Sequence, residues 1–272
     1  MHGLGNDFLV IDAIAQPIEI TSALAYEMAD RHTGIGFDQL LLLEPARQLG
    51  ADFSYRIFNA DGSEVSQCGN GARCVGRYLY DAGYLQGSSV ILGTAQRNLE
   101  VQILEDNQVA VNMGLPLFAP QEIPFIASAQ ADSYFIELPG EKIEIAVVNL
   151  GNPHAVIFVA DIDRAPVERV GALLEKHDRF PERVNVGFMQ CLSRDHIRLR
   201  VYERGVGETL ACGSGACAAV TIGRVLGLLD AQVQVDVSGG ALYVKWIDPE
   251  HPVWLMGTTE TVFKGEWLKK SC

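Results

Sequence analysis

The sequence predicts an α/β (α+β) protein of two similar, pseudo-symmetric halves, each mainly antiparallel sheet around a central helix. Three observations predict it: an internal repeat, segments of strict period-two alternation, and a helical pattern after each of two Cys-Gly clusters. Residues 56–85 and 200–229 align without a gap at a constant offset of 144. Arg56, Glu64, Cys68, Gly69, Gly71, Ala72, Gly83 and Leu85 all meet identical residues in the second copy. Two shorter echoes keep the same order: Leu4-Gly5-Asn6 with Leu150-Gly151-Asn152, and Gly36-Phe37-x-Gln39 with Gly187-Phe188-x-Gln190. Repetition of this kind marks one folding unit used twice.

The elements follow in order. Leu99–Ile103, Ile197–Val201 and Val233–Val237 alternate at period two, the signature of a half-buried strand. After the first cluster Ala72, Val75, Leu79 and Ala82 fall on one helical face, with Arg73, Arg77 and Asp81 as a polar stripe. After the second, only Thr221 and Arg224 interrupt an apolar run from Ala216 to Gly227. A helix apolar nearly all round is buried on most sides, so each sheet is expected to wrap its helix. Gly114, Pro116, Pro120 and Pro124 punctuate a connector between the halves. A chain of 272 residues is also near the roughly 250–300 at which single cores divide.

Composition excludes several functions. The formal charge of −13 lacks the basic footprint that nucleic acid or an anionic membrane needs. No stretch approaches the roughly 20 apolar residues of a membrane span. The opening Met1-His2-Gly3-Leu4-Gly5 has neither a basic region nor an apolar core of a secretory signal, so a cytoplasmic enzyme is expected. Six cysteines, at 68, 74, 191, 212, 217 and 272, are too few and scattered for a disulfide scaffold.

Cys68 and Cys212 hold equivalent places, each just before a helix. A helix N-terminus presents unpaired N–H groups and about +0.5 charge, which stabilises an anion and can depress a thiol pKa. The neighbouring glycines let a ligand approach the backbone, and the N–H groups suit a carboxylate. Two sulfurs on opposite sides of one ligand fit a two-base stereoinversion. One thiolate removes an α-proton and the opposite thiol returns a proton to the other face. Competing uses of these residues fit less well. Cys68-x5-Cys74 and Cys212-x4-Cys217 lack zinc-knuckle spacing, and on a helix Cys68 and Cys74 stand about 240° apart. Cys74 and Cys217 read as small buried helix residues. Neither cluster is a Cys-x-x-Cys redox motif, and no glycine-rich nucleotide fingerprint or Gly-Lys-Ser/Thr occurs.

The motifs resemble the diaminopimelate epimerase family almost end to end. They include His2-Gly3-Leu4-Gly5-Asn6-Asp7-Phe8, Gly34-Ile35-Gly36-Phe37-Asp38-Gln39, Phe58-Asn59-Ala60-Asp61-Gly62 and Cys68-Gly69-Asn70-Gly71-Ala72-Arg73-Cys74. They continue through Gly151-Asn152-Pro153-His154, Arg183-Val184-Asn185, Glu203-Arg204-Gly205 and Glu208-Thr209-x-Ala211-Cys212-Gly213-Ser214-Gly215. The resemblance implies a barrel-like sheet in each half, with the C-terminal strand returning to complete the first. The halves are then 1–115 plus 258–272, carrying Cys68, and 116–257, carrying Cys212.

It also implies a cofactor-independent isomerase of lysine and peptidoglycan precursor synthesis, interconverting LL- and meso-diaminopimelate without pyridoxal phosphate or metal. Cys68 and Cys212 match the catalytic pair. Gly69, Asn70, Gly213 and Ser214 match positions that bind the reacting carboxylate. Asn6, Gln39, Asn59, Asn152, Asn185, Glu203 and Arg204 match the other substrate contacts, and His154 and Glu203 match positions that tune the cysteines. The residue chemistry agrees: Arg204 offers a planar fork for a carboxylate and Glu203 an anion for an ammonium. Their polarity argues against proline racemases and hydroxyproline epimerases, relatives whose substrates have one amino-acid head group. A binding protein without catalysis would have no need of a cysteine in both copies. The resemblance further implies a homodimer, although Phe263 stands where many relatives carry a tyrosine of the dimer contact. A second departure is the start of the chain one residue before the His-Gly-Leu-Gly motif, where many relatives have several residues of strand.

Overall fold

The computed structural model describes residues 1–65 and 69–268. Cys68 and Cys272 lie outside the described residues. The chain forms two compact units, Met1–Val111 with Gly257–Cys272, and Asn112–Met256. Both are mixed α/β, mostly sheet with few helices.

The first unit contains β1 (His2–Gly3), β2 (Asn6–Asp12), α1 (Ser22–Ala29), β3 (Gln39–Pro45), β4 (Phe53–Asn59) and β5 (Glu64–Val65). Then come α2 (Gly69–Asp81), β6 (Ser89–Gly93), β7 (Asn98–Ile103) and β8 (Gln108–Gly114). Strands β2 and β3 pair in parallel, β3–β4–β5 run antiparallel, β4 and β6 are parallel, and β6–β7–β8 form a meander. The returning segment pairs with the first strand through His2 N–H to Glu260 O at 2.9 Å and Glu260 N–H to His2 O at 3.0 Å. Ala25, Met28 and Ala29 of α1 bury against Leu40, Leu42 and Phe58.

The second unit adds β9 (Tyr134–Leu138) and then repeats the order. Its elements are β10 (Glu141–Asn149), β11 (Pro153–Phe158), α3 (Val167–Leu174), β12 (Asn185–Ser193), β13 (His196–Glu203) and β14 (Gly207–Thr209). They continue with α4 (Gly213–Val225), β15 (Gln232–Val237), β16 (Gly240–Lys245) and β17 (Val253–Thr258). The pairings match one for one: β11 parallel to β12, β12–β13–β14 antiparallel, β13 parallel to β15, then β15–β16–β17. Helices α2 and α4 are both 13 residues long and begin at equivalent glycines. The repeat therefore governs topology as well as sequence.

Helix α4 shows why the apolar run is needed. Ala216, Cys217, Ala218, Ala219 and Val220 are all inaccessible, and the helix packs against β10, β11, β12, β13 and β16. Alanine favours the helix and, being small, lets strands close on every side. Helix α2 is likewise buried at Ala72, Cys74, Val75 and Leu79.

Two expectations change. Gly36-Phe37 precedes β3, whereas Gly187, Phe188 and Gln190 lie inside β12. Register makes Gln39 equivalent to Asn185, because Gln39 faces Phe8 as Asn185 faces His154. That second echo is a chance match, not a repeat. Arg73 also leaves the polar stripe: it is wholly buried, while Arg77 and Asp81 pair at the surface end at 3.0 Å. The first turn of α2 is enclosed, so an arginine there points inward and donates to Asn70 Oδ1 at 3.0 Å.

One glycine fixes the approach of α3 to the sheet. A Cβ on Gly171 would stand 2.6 Å from both Cβ and Cγ of Tyr202, on the strand that carries Glu203. Gly171→Ala is expected to lower the unfolding free energy by about 1–3 kcal/mol, the usual range for overpacking. Denaturant unfolding of the variant beside the parent checks this.

Candidate active site

Each unit gathers predicted residues where β-strand ends meet the start of its buried helix. In the second unit Cys212 is the N-cap of α4, with extended backbone (φ −119°, ψ 109°), and its carbonyl accepts from Ala216 N–H at 3.0 Å. The thiol is 5% exposed. Its sulfur is 3.6 Å from Ser214 Oγ and also receives the Gly215 N–H. Glycine at 215 keeps this approach open, since a Cβ there would sit 3.3 Å from the sulfur. The Glu203 carboxylate, at the end of β13, hydrogen-bonds the thiol from another side and accepts from Thr209 Oγ1 at 2.5 Å.

These contacts set the charge state. The helix N-terminus was expected to depress the thiol pKa. The reverse holds for Cys212: burial and the adjacent Glu203 charge push it well above the ordinary thiol value. The Ser214 hydroxyl and Gly215 N–H pull it down, but by less. Burial also raises the Glu203 carboxyl. The pair therefore rests as carboxylate plus thiol, with S–H donating to the carboxylate.

A directed chain of hydrogen bonds supports the sulfur. His154 is 1% exposed and its Nε2 lies 2.9 Å from Asn152 Oδ1. Burial, and secondarily the Arg204 charge, push its pKa down to about 3, so the ring is neutral near pH 7. An amide oxygen can only accept, so Nε2 carries the proton. Asn152 then turns its Nδ2 toward Ser214 Oγ at 3.4 Å, and Ser214 in turn reaches Cys212. Asn185 is buried with both ends engaged: Nδ2 donates to Pro153 O at 3.1 Å and Oδ1 accepts from Arg204 N–H at 3.0 Å. The exposed Arg204 side chain donates through Nη1 to Glu182 O at 2.8 Å.

The first unit assembles its set in the same places. Gln39 Nε2 donates to Asn59 Oδ1 at 2.9 Å, and Asn59 Nδ2 to Ser63 Oγ at 3.2 Å. Asn6 Nδ2 donates to Asp38 Oδ2 at 3.1 Å, and Arg31 ties Asp38 to Asp7. Gly69 opens α2 and Asn70 is buried beside Arg73. Asn6, Gln39, Asn59, Gly69 and Asn70 thus belong to one unit, and Asn152, His154, Asn185, Glu203, Arg204, Cys212, Gly213 and Ser214 to the other. Sequence reasoning passed over Thr209 and Arg73, which orient Glu203 and Asn70. Their signal was only proximity to the cysteine clusters. Among the described residues, no three His, Cys, Asp or Glu side chains group as a metal-ligand set. No described helix is long and apolar enough to cross a membrane.

Comparison with known proteins adds the lineage. The family model described as diaminopimelate epimerase matches residues 1–118 and 146–262. Among solved structures, a hydroxyproline epimerase from Agrobacterium vitis with bound trans-4-hydroxy-L-proline aligns with a TM-score of 0.68 at 16% identity. That alignment covers 94% of this chain and 87% of the other. A predicted epimerase from Pseudomonas aeruginosa gives 0.67 at 18%, covering 98% and 94%. A phenazine biosynthesis protein from Bacillus anthracis gives 0.63 at 18%, covering 95% and 92%. These likenesses show a shared fold.

The neutral buried His154 has a thermodynamic consequence. Its folded pKa, about 3, lies below the ordinary value of 6.5, so between them the unfolded chain binds the extra proton. Stability from this group is complete above the unfolded value and drains away as pH falls toward the folded one. The urea midpoint is expected to drop from about pH 7 to about pH 5, and to drop less in His154→Gln, which keeps a donor for Asn152. Urea titrations of both proteins at the two pH values check this.

Proposed function

The chain belongs to the diaminopimelate epimerase family, an epimerase- and isomerase-type enzyme family, and on that premise we propose that it interconverts LL- and meso-2,6-diaminopimelate without a cofactor. One observation carries the reading. The thiol of Cys212 stands at the first turn of a buried helix, beside a carboxylate, and the repeat puts Cys68 in the same sequence position before α2.

The chemistry runs through the protein's own acids and bases. The reacting carboxylate is held by N–H groups at the helix starts, at Gly69 and Asn70 and at Gly213 and Ser214, where helix dipoles favour an anion. Glu203 takes the distal ammonium and Arg204 the distal carboxylate, and Asn6, Gln39, Asn59, Asn152 and Asn185 complete the polar contacts. Starting from a thiol at Cys212, the Cys68 thiolate takes the α-proton, its electron pair passing into the bound carboxylate as an enediolate. Cys212 S–H delivers its proton to the opposite face. The product has the inverted centre, Cys68 is now thiol and Cys212 thiolate, and the return reaction exchanges the roles. Binding of the ammonium by Glu203 places a positive charge beside the pair, which lowers the thiol pKa. His154 stays neutral and fixes Asn152, so it acts on the sulfur through Ser214.

A cytoplasmic homodimer completes the proposal. Phe263 and Val262, 67% and 65% exposed on the returning segment, supply apolar surface for such a contact.

Proton NMR of the reduced protein with LL-diaminopimelate in D2O tests the reading. Loss of the α-proton signal with formation of the meso isomer is expected, and Cys212→Ala should reduce turnover by several orders of magnitude while substrate still binds. Exchange with L-proline or trans-4-hydroxy-L-proline in place of diaminopimelate would move the substrate to the one-headed amino acids. No exchange with any of them, with thiols verified free, would overturn an epimerase.

A further inference from the structure

The two units repeat one ion pair but finish it differently. Arg200 on β13 grips Glu208 with Nε and Nη2 at 2.6 and 2.7 Å, and its Nη1 donates to Ile162 O at 3.2 Å. The N–H of the same Ile162 donates to Gln190 Oε1 at 3.2 Å, and Gln190 Nε2 donates to Ala160 O at 2.9 Å. One peptide residue in the turn after β11 thus supplies a donor to Gln190 and an acceptor to Arg200.

By register the counterparts in the first unit are Glu44 and Arg56. Arg56 makes the same two-pronged pair, with Glu64 at 2.8 and 2.7 Å. The chain after β2 does not close the spot. It leaves an open crevice of about 550 Å³ lined by Pro17, Ile18, Glu19, Glu44, Arg47 and Arg56. The Glu44 side chain is 8% exposed; Oε1 takes Arg47, and Oε2 has no hydrogen-bond partner among the described residues. A buried carboxylate oxygen lacking a donor is costly, and an N–H from a ligand removes that cost.

We propose that this crevice binds a small zwitterionic α-amino acid, its ammonium donating to Glu44 and its carboxylate accepting from Arg56 Nη1 and Arg47. The ligand replaces what Ile162 provides in the second unit, one N–H and one carbonyl oxygen, in charged form. The wall agrees: two carboxylates and two guanidiniums leave no net charge, and Pro17 with Ile18 offers an apolar flank for a side chain. Glu44 Oε2 is itself closed off, so the ligand reaches it as the 60% exposed Arg47 swings from Glu44 Oε1 to the ligand's carboxylate. The crevice is separate from the catalytic groups, since Glu44 is five residues along β3 from Gln39, about 16 Å at the usual strand rise.

Two-dimensional proton–nitrogen NMR of the whole protein tests this, with L-leucine, N-acetyl-L-leucine and L-leucine methyl ester as probes. L-Leucine is expected to give saturable shifts at the amides of Ile18, Glu19, Glu44 and Arg47. Blocking either charge of the probe, or Glu44→Gln, should weaken that binding at least about tenfold, as loss of a charge-assisted hydrogen bond does. Glutamine occupies the equivalent place in the second unit, so the variant retains the fold. Three results would overturn the proposal: no saturable shift at these amides, shifts confined to residues around Cys212, or equal affinity for the blocked probes or the variant.

Discussion

The chemistry proposed for this protein depends on burying one thiol at the first turn of α4 against a carboxylate. Burial and the Glu203 charge raise Cys212, while the helix N-terminus, Ser214 and the Gly215 N–H restrain it. The balance keeps a proton on sulfur and a charge on carboxylate until something cationic approaches. The rest of the second unit serves that balance. The sheet excludes water from the helix, Gly215 leaves room at the sulfur, and Thr209 and the His154–Asn152–Ser214 chain fix the polar neighbours. A neutral imidazole suits this position because a second cation there would undo the raised thiol.

The duplication gives two matching frames with different chemistry inside them. Asn70 and Arg73 of α2 stand where α4 has Ser214 and Cys217. A buried guanidinium backs the first helix start, whereas a carboxylate faces the second. Gln39 and Asn59 bond to each other, whereas Asn185 is committed to backbone groups and Glu203 to the thiol. Gene duplication preserves strand register and helix length cheaply, because those follow from apolar pattern and glycine placement. The polar residues are free to diverge, and they have done so at each helix start.

Period and repeat made the frame legible in sequence. The alternation in β7, β13 and β15 and the apolar run of α4 appear where expected, since each reports burial directly. The Gly36–Gln39 echo misled because two short apolar-glycine strings match by chance, and only strand pairing reveals register. Arg73 misled because a charged residue at helical spacing reads as solvent-facing, while its burial depends on how the helix start is enclosed. The thiol pKa was illegible for a related reason: a helix N-terminus is visible in sequence, but desolvation and the Glu203 contact are tertiary. The orientation of each amide, donor end or acceptor end, likewise waits for its partner.

The direct test of the buried pair is the pH dependence of Cys212 alkylation by iodoacetamide, resolved by mass spectrometry, in the parent protein and in Glu203→Gln. The account predicts a parent midpoint above the ordinary thiol value of about 8.5 and a lower midpoint in the variant, because the carboxylate charge that holds the proton on sulfur is gone. A parent midpoint below that value, or one that Glu203→Gln leaves unmoved, would contradict it.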